Sequence, residues 1–152
     1  ASLDDASLIG ASLDEATLDG ASLKGASLIG ASLDRASLDD ASLYRASLNH
    51  ASLNDVSLDG AKYSIMSMLK INWGRLSDEL TLELMRHDAE YIGYDIITDW
   101  ANGGECPYIK IGMCRDFYFS EKKEIWKPGK PKLRGKELFK ALCKEANINM
   151  SI

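Results

Sequence analysis

The chain has 152 residues, is 45% hydrophobic and 27% charged, and carries a net charge of −5. This length holds one domain or two small ones. An acidic chain without an apolar run of about 18 residues reads as neither a general nucleic-acid binder nor a helical membrane span. Charge is split unevenly: residues 1–60 hold ten acids and three bases, and residues 61–152 hold thirteen acids and fifteen bases. An acidic first part thus precedes a near-neutral second part. Cys106, Cys114 and Cys143 are irregularly spaced, which fits reduced thiols in the cytoplasm rather than a disulfide framework. The chain opens directly on a repeat, with neither a signal peptide nor an initiator Met. It is expected to be trimmed from a longer parent in which further coils precede it.

Residues 1–60 are twelve tandem copies of A-S-L-x-x. Leu3, Leu8, Leu13, Leu18, Leu23, Leu28, Leu33, Leu38, Leu43, Leu48, Leu53 and Leu58 recur without a miss. Val56 replaces Ala once and Thr17 replaces Ser once. Period five fits neither regular element: it sprays leucines around an α-helix and alternates them across a strand. A chain that turns a corner of about 90° every five residues points every Leu and Ala inward instead. Four sides then close a coil of 20 residues, and 60 residues make three coils, a repeat architecture that cannot bury its core one unit at a time. Gly10, Gly20, Gly25, Gly30 and Gly60 all take the last place of a repeat, where a corner needs positive φ.

Residues 20 apart stack on adjacent coils, separated by about 4.8 Å. Asp19, Asp39 and Asp59 form one acidic column, while Asp14, Asp34 and Asn54 form another. Glu15, Arg35 and Asp55 alternate in sign. Neighbouring carboxylates at that spacing repel by roughly 0.9 kcal/mol in water. The aspartates Asp14, Asp19, Asp34, Asp39 and Asp59 are the candidate interaction surface, matched to a basic partner. Three carboxylates on a flat wall do not supply the six to eight oxygens of a Ca²⁺ site, so no metal is expected. The first coil, Leu3 to Leu18, has no cover, and self-association through it is expected. The stretch Ala61–Leu69 is placed to cover the third coil.

After residue 70 the period changes. Ser77 reads as the N-cap of a helix over 77–91, with Asp78 and Glu79 in its first turn. Asp88 falls within the apolar arc of that helix and, as a buried acid, needs a partner, for which Arg115 is the candidate. His87 sits at the edge of the arc and reads as solvated; about 100° separates it from Asp88, so the two are not expected to meet. A second helix is read over Ile96–Ala101, ended by Asn102-Gly103-Gly104. Pro107 breaks the pattern, and Ile109-Lys110-Ile111 and Phe117-Tyr118-Phe119 read as short extended segments. Trp126 to Pro131 is a turn. A last helix over 135–146 carries the stripe Leu138, Phe139, Leu142, Cys143, Ala146, which buries Cys143. Cys106 and Cys114 lack the tight spacing of a zinc knuckle, and no phosphate-cradling or dinucleotide glycine turn is present. No catalytic residue, cofactor or metal site is therefore expected. Lysines and arginines between Lys122 and Lys140 make a basic stretch that reads as a solvated face.

The A-S-L-x-x pattern resembles the A-(D/N)-L-x-x signature of the pentapeptide repeat family. That resemblance implies a right-handed quadrilateral β-helix over residues 1–60, followed by a small, mostly helical capping and recognition region over 61–152. The stretches N-W-G-R-L-S-D-E-L-T-L-E-L-M-R-H-D-A, G-G-E-C-P-Y and I-W-K-P-G-K-P resemble the C-terminal region of bacterial pentapeptide repeat proteins of unknown function. Some family members are similar to B-form DNA in shape and charge and inhibit DNA gyrase. Three coils rise only about 14 Å, under half a duplex turn of about 34 Å. The leading expectation is thus a non-enzymatic, cytoplasmic protein-interaction module with an unidentified protein partner. A DNA-mimic inhibitor of a topoisomerase is the alternative, and an enzyme in the C-terminal region is the third.

Overall fold

Stacking every twentieth residue lets each backbone amide meet a carbonyl of the next turn of chain, and the computed structural model is built on that pairing. It describes residues 1–110, 115 and 119–150. Ser2 pairs in parallel with Ser22, Ser22 with Ser42, and Ser42 with Lys62. Equivalent columns start at Ser7, Ser12 and Thr17, so the tube has four walls. Each wall repeats the same three bonds. The Ser22 amide donates to the Ala1 carbonyl at 2.9 Å, Leu3 to Ser22 at 2.7 Å, and Asp5 to Lys24 at 2.8 Å. At each corner the alanine amide closes back on the preceding leucine carbonyl, as Ala6 does on Leu3 at 3.1 Å. The fifth place of every repeat has positive φ, including the non-glycines Asp5, Glu15, Arg35, Asp40, Arg45, His50 and Asp55. This is the third position of a type II-like turn. The requirement belongs to the corner, so it falls on all twelve repeats and not on the glycines alone.

Ala21 through Leu58 line a fully buried interior, each leucine at 1% exposure or less. Each contributes about 2 kcal/mol of apolar burial. Leu3, Leu8, Leu13 and Leu18 of the first coil are only partly buried, because nothing stacks on their outer side among the described residues.

The register outlasts the repeat signature. Lys62 pairs on Ser42 and Asn72 on Ser52, so 61–63 and 71–73 start a fourth turn of the tube. A four-residue helix, α1 (Ile65–Met68), replaces the wall between them. The inward leucine places become Tyr63, Met68 and Trp73, of which the two aromatics are larger than Leu, and they fill the end of the tube. The chain then leaves at Gly74, whose amide is held by the Asn72 side chain at 3.0 Å. The last wall comes from the other end of the sequence. Strand β1 (Ser57–Leu58) pairs in parallel with β2 (Asn149–Met150), Asn149 opposite Ser57 and Met150 opposite Leu58. Asn149 donates to the Val56 carbonyl at 2.9 Å, the same bond that Ser57 makes to Ala36 at 3.1 Å. Ala61–Leu69, expected to cover the third coil, lies on it as the first half of this fourth turn, and residues 71–73 and β2 complete the cover.

Among the described residues, further helices are α2 (Asp78–Ile92), α3 (Tyr94–Ala101), α4 (Pro107–Lys110) and α5 (Lys136–Glu145), with a 3-10 turn at Lys123–Ile125. Ser77 caps α2, its hydroxyl accepting from Leu80 at 3.2 Å. Helix α5 buries Leu138, Phe139, Leu142 and Cys143, and Phe139 lies 5.4 Å from the Tyr63 ring and 6.1 Å from Trp73, sealing the tube. It ends in a Schellman motif: Ile148 donates to Cys143 and Asn147 to Lys144. Asn147, at φ 55, is at once the left-handed residue that stops α5 and the corner that feeds β2. Burial pushes the Cys143 thiol up to about 12. Ile109 and Lys110, read as extended, belong to the helical turn α4. Pro107 opens that turn, where its missing N–H costs nothing. Phe119 is also helical, its amide donating to the Arg115 carbonyl at 2.8 Å. Ile111, Cys114, Phe117 and Tyr118 lie outside the described residues.

Candidate functional site

A short polar side chain at the fourth place of a repeat stands over the next coil and can reach the serine there. Asp14, Asp19, Asp34 and Asp39 do this: each carboxylate accepts from the hydroxyl 18 residues on and the amide 20 residues on. The partners of Asp39, for example, are the Ser57 hydroxyl and the Asp59 amide, the latter at 3.0 Å. Asp4 makes the same pair with Ser22 and Lys24, and the Ser22 bond holds its carboxyl below the usual range. One oxygen of each of these aspartates thus staples coil to coil, leaving only the other for a partner. Sequence reading missed this role, although the pairing of Ser at place two with Asp at place four carries its signal. Glu15 and Arg35, stacked in one column, meet at 2.9 Å.

Asp88 is 2% exposed. Arg115, itself buried, donates to it from Nε at 2.8 Å and from Nη2 at 3.3 Å. The same guanidinium donates to the carbonyls of Leu69 and Ile71 on the fourth turn of the tube. Burial raises the carboxyl pKa, but the Arg115 charge and the hydrogen bonds outweigh it and hold Asp88 below its usual value. The pair bolts α2 to the end of the tube. His87, expected at a solvated edge, is buried: its ring packs 5.4 Å from that of Tyr91 and lines a hollow with Met66, Leu69 and Lys70. Its Nδ1 comes within 3.5 Å of the Asp88 carboxylate, despite their angular separation on the helix, without hydrogen-bond geometry. Tyr108 is also fully buried with its hydroxyl unpaired. Burial, aided by the Asp88 charge, pushes that hydroxyl well up. An ionised, doubly held carboxylate beside a proton-holding phenol is poor acid–base machinery near neutral pH.

Sequence reading also missed Glu83, buried at 5% exposure, whose carboxylate accepts from the Leu133 amide at 2.9 Å. It belongs to a row along α2, from Asp78 to Glu90, that contacts the basic stretch. Arg86 donates to the Lys127 carbonyl at 3.0 Å, Arg134 meets Glu90 at 2.8 Å, and Lys122 meets Asp78 at 3.1 Å. Lys122 and Arg134 therefore serve the fold. Cys106 lines an open groove between α2 and α3, with Tyr91 and Ile96 exposed on its rim. Among the described residues, no group of three or more His, Cys, Asp or Glu side chains converges on a metal-sized site. No described helix is long and apolar enough to cross a membrane.

The sequence profile of the pentapeptide repeats matches residues 1–40 and 36–62, in eight copies. No curated protein sequence matches the chain. Among solved structures, the chain is similar to QnrB1, a plasmid-mediated fluoroquinolone resistance protein, at 17% identity and a TM-score of 0.40. That match covers 43% of this chain and 32% of QnrB1. HetL of the cyanobacterium Nostoc sp. strain PCC 7120, a pentapeptide repeat protein involved in heterocyst differentiation regulation, is 34% identical with a TM-score of 0.23. It is covered over 38% of its length, against 49% of this chain. A pentapeptide repeat protein of the Arabidopsis thaliana thylakoid lumen is 24% identical with a TM-score of 0.20, over 56% of this chain and 71% of its own. The chain spans about a third of the length of the first two. Residues 1–62 are pentapeptide repeats.

Proposed function

We propose that this pentapeptide-repeat chain is a non-enzymatic protein-interaction module: a right-handed, four-sided acidic rod whose C-terminal region closes it and carries recognition. The observation that carries the reading is the fate of the chemistry-bearing groups. Asp88 and Arg115 are engaged with each other and with the tube, and four of the five candidate rod aspartates staple coils together. What is left for a partner is surface: the second oxygens of the rod aspartates, the exposed Ile9 and Tyr44, and the α2–α3 groove.

The test pairs two measurements on the full chain. A peptide-display selection against the immobilised protein is expected to yield ligands that bind saturably. A hydrolase and transferase substrate panel is expected to show no turnover. Turnover that Asp88→Asn or Cys106→Ser abolishes overturns the proposal, as does a selection without saturable ligands. In a gyrase supercoiling assay the expected result is full supercoiling; inhibition would promote the DNA-mimic reading.

A further inference from the structure

Helices α2 and α3 meet at Gly93, and the end of α2, the α3 helix and residues 105–107 surround an open cavity of about 710 Å³, the α2–α3 groove. Tyr91, Ile92, Ile96 and Pro107 give it apolar walls, and Asp95 and Asp99 stand along its α3 side. Tyr91 is 67% exposed and Ile96 50%. Beyond Tyr91 the apolar surface continues to Met66, 43% exposed, over a smaller hollow of about 230 Å³ that shares Tyr91 and Ile92. Three of the six exposed large hydrophobic side chains among the described residues therefore stand on one face. Single exposed apolar side chains need no explanation, but a contiguous patch over a concave floor marks an interaction site.

The charge around the floor selects the occupant. Asp95 and Asp99 are one helical turn apart and face the same way. Neither α2 nor α3 has a basic residue in its own last turn, and the described lining of the groove carries Asp95, Asp99 and Glu105 without a Lys or Arg. Nucleic acid, free anions and acidic membrane surfaces are repelled. A helix with apolar residues one turn apart and Lys or Arg along one flank matches both the floor and the acidic rim.

We infer that the α2–α3 groove docks a basic amphipathic helix of a partner protein, with Tyr91 and Ile96 as apolar contacts and Asp95 and Asp99 as charge partners. The inference rests on the interaction-module reading and locates its recognition site. The probe is a fluorescein-labelled helical peptide of Leu and Lys, with a Leu and Glu peptide of the same pattern as its counterpart, read by anisotropy against the full chain. The Lys peptide is expected to bind more tightly, and the preference to weaken with salt. Ile96→Asp and Tyr91→Ser are each expected to weaken it by roughly tenfold or more, with far-UV circular dichroism unchanged because both side chains are exposed. The double change Asp95→Lys with Asp99→Lys is expected to invert the preference toward the Glu peptide. Binding that survives the Ile96 and Tyr91 substitutions places the peptide on the rod and overturns the inference. So does self-association that Ile96→Asp abolishes, since the occupant is then a second copy. Display-selected ligands that bind elsewhere sink the groove while leaving the interaction module standing; an absence of any ligand sinks both.

Discussion

Replacing Arg115 by Met removes one partner of a buried ion pair while keeping an unbranched chain of similar reach. The pair lies at 2.8 Å with both side chains at 3% exposure or less. Loss of one member strands a charge in a dry site and costs about 3–5 kcal/mol. The carbonyls of Leu69 and Ile71 lose their donor as well. The pH dependence tests the cause. In the wild type Asp88 is held below 3.8, so its contribution is complete above the unfolded pKa and is lost as pH falls through the folded one. In Arg115→Met burial is opposed only by the nearby His87; the folded pKa is expected to rise above the unfolded value, and stability to increase as pH falls between them. The gap between the two proteins at pH 7 should therefore narrow toward pH 4, with the other acids common to both. Urea unfolding followed by tryptophan fluorescence reads this directly, because Trp73, Trp100 and Trp126 all lie beyond the repeats. Adding Asp88→Asn to Arg115→Met should recover part of the loss, leaving about 1–3 kcal/mol for the orphaned carbonyls. A deficit below about 1 kcal/mol at pH 7, or one that holds constant to pH 4, refutes the bolt.

At the Gly20 corner, φ is +68 and nothing lies within 4 Å of an added Cβ. Gly20→Ala therefore meets only backbone strain, and after the unfolded-state gain a net loss of about 0.5–1 kcal/mol is expected in thermal unfolding. Asp39→Ala and Ser57→Ala each break one coil-to-coil staple; each should cost about 1 kcal/mol, and the double variant should cost less than the sum of the two. Asn149→Pro deletes the amide that meets Val56 and should raise hydrogen exchange of the Leu38 and Ala41 amides little, but that of the Ser57–Leu58 segment strongly.

The tube was legible because its rule is local and repeats twelve times: one corner predicts every corner. The fourth turn was not, although its traces are present. Tyr63, Met68 and Trp73 keep the spacing of the leucine column without its residue type. Ile71-Asn72-Trp73 and Ile148-Asn149-Met150 share an I-N-x form that becomes meaningful only once they are seen stacked on Ala51-Ser52-Leu53 and Val56-Ser57-Leu58. Asp88 and its partner Arg115 followed from the cost of burying an unpaired acid, a rule independent of topology. His87 was misplaced for the opposite reason. Helical angle fixes which way a side chain leaves its own helix, but burial depends on what else surrounds it, here the Tyr91 ring and a hollow shared with Met66, Leu69 and Lys70.

That splice constrains how the two parts work together. A cap merely laid on the tube could be lost without changing the last coil. Here β2 supplies a wall of that coil, Asn147 supplies a corner, and its side chain donates to Asp55 at 2.7 Å. Phe139 seals the interior from the same helix that delivers β2, and Glu145 at the end of that helix accepts from the Ser77 amide at 2.9 Å, at the start of α2. The chain from coil to α2, and from α5 back to coil, is thus a closed mechanical loop with Arg115 bolted across it. The α2–α3 groove is therefore carried in register with the rod walls and does not swing on a linker. A partner that touches both surfaces meets them at fixed spacing, so its second contact costs little further ordering. Loosening β2 should leave the intrinsic affinity of the groove for a short peptide intact while weakening any ligand that spans groove and rod.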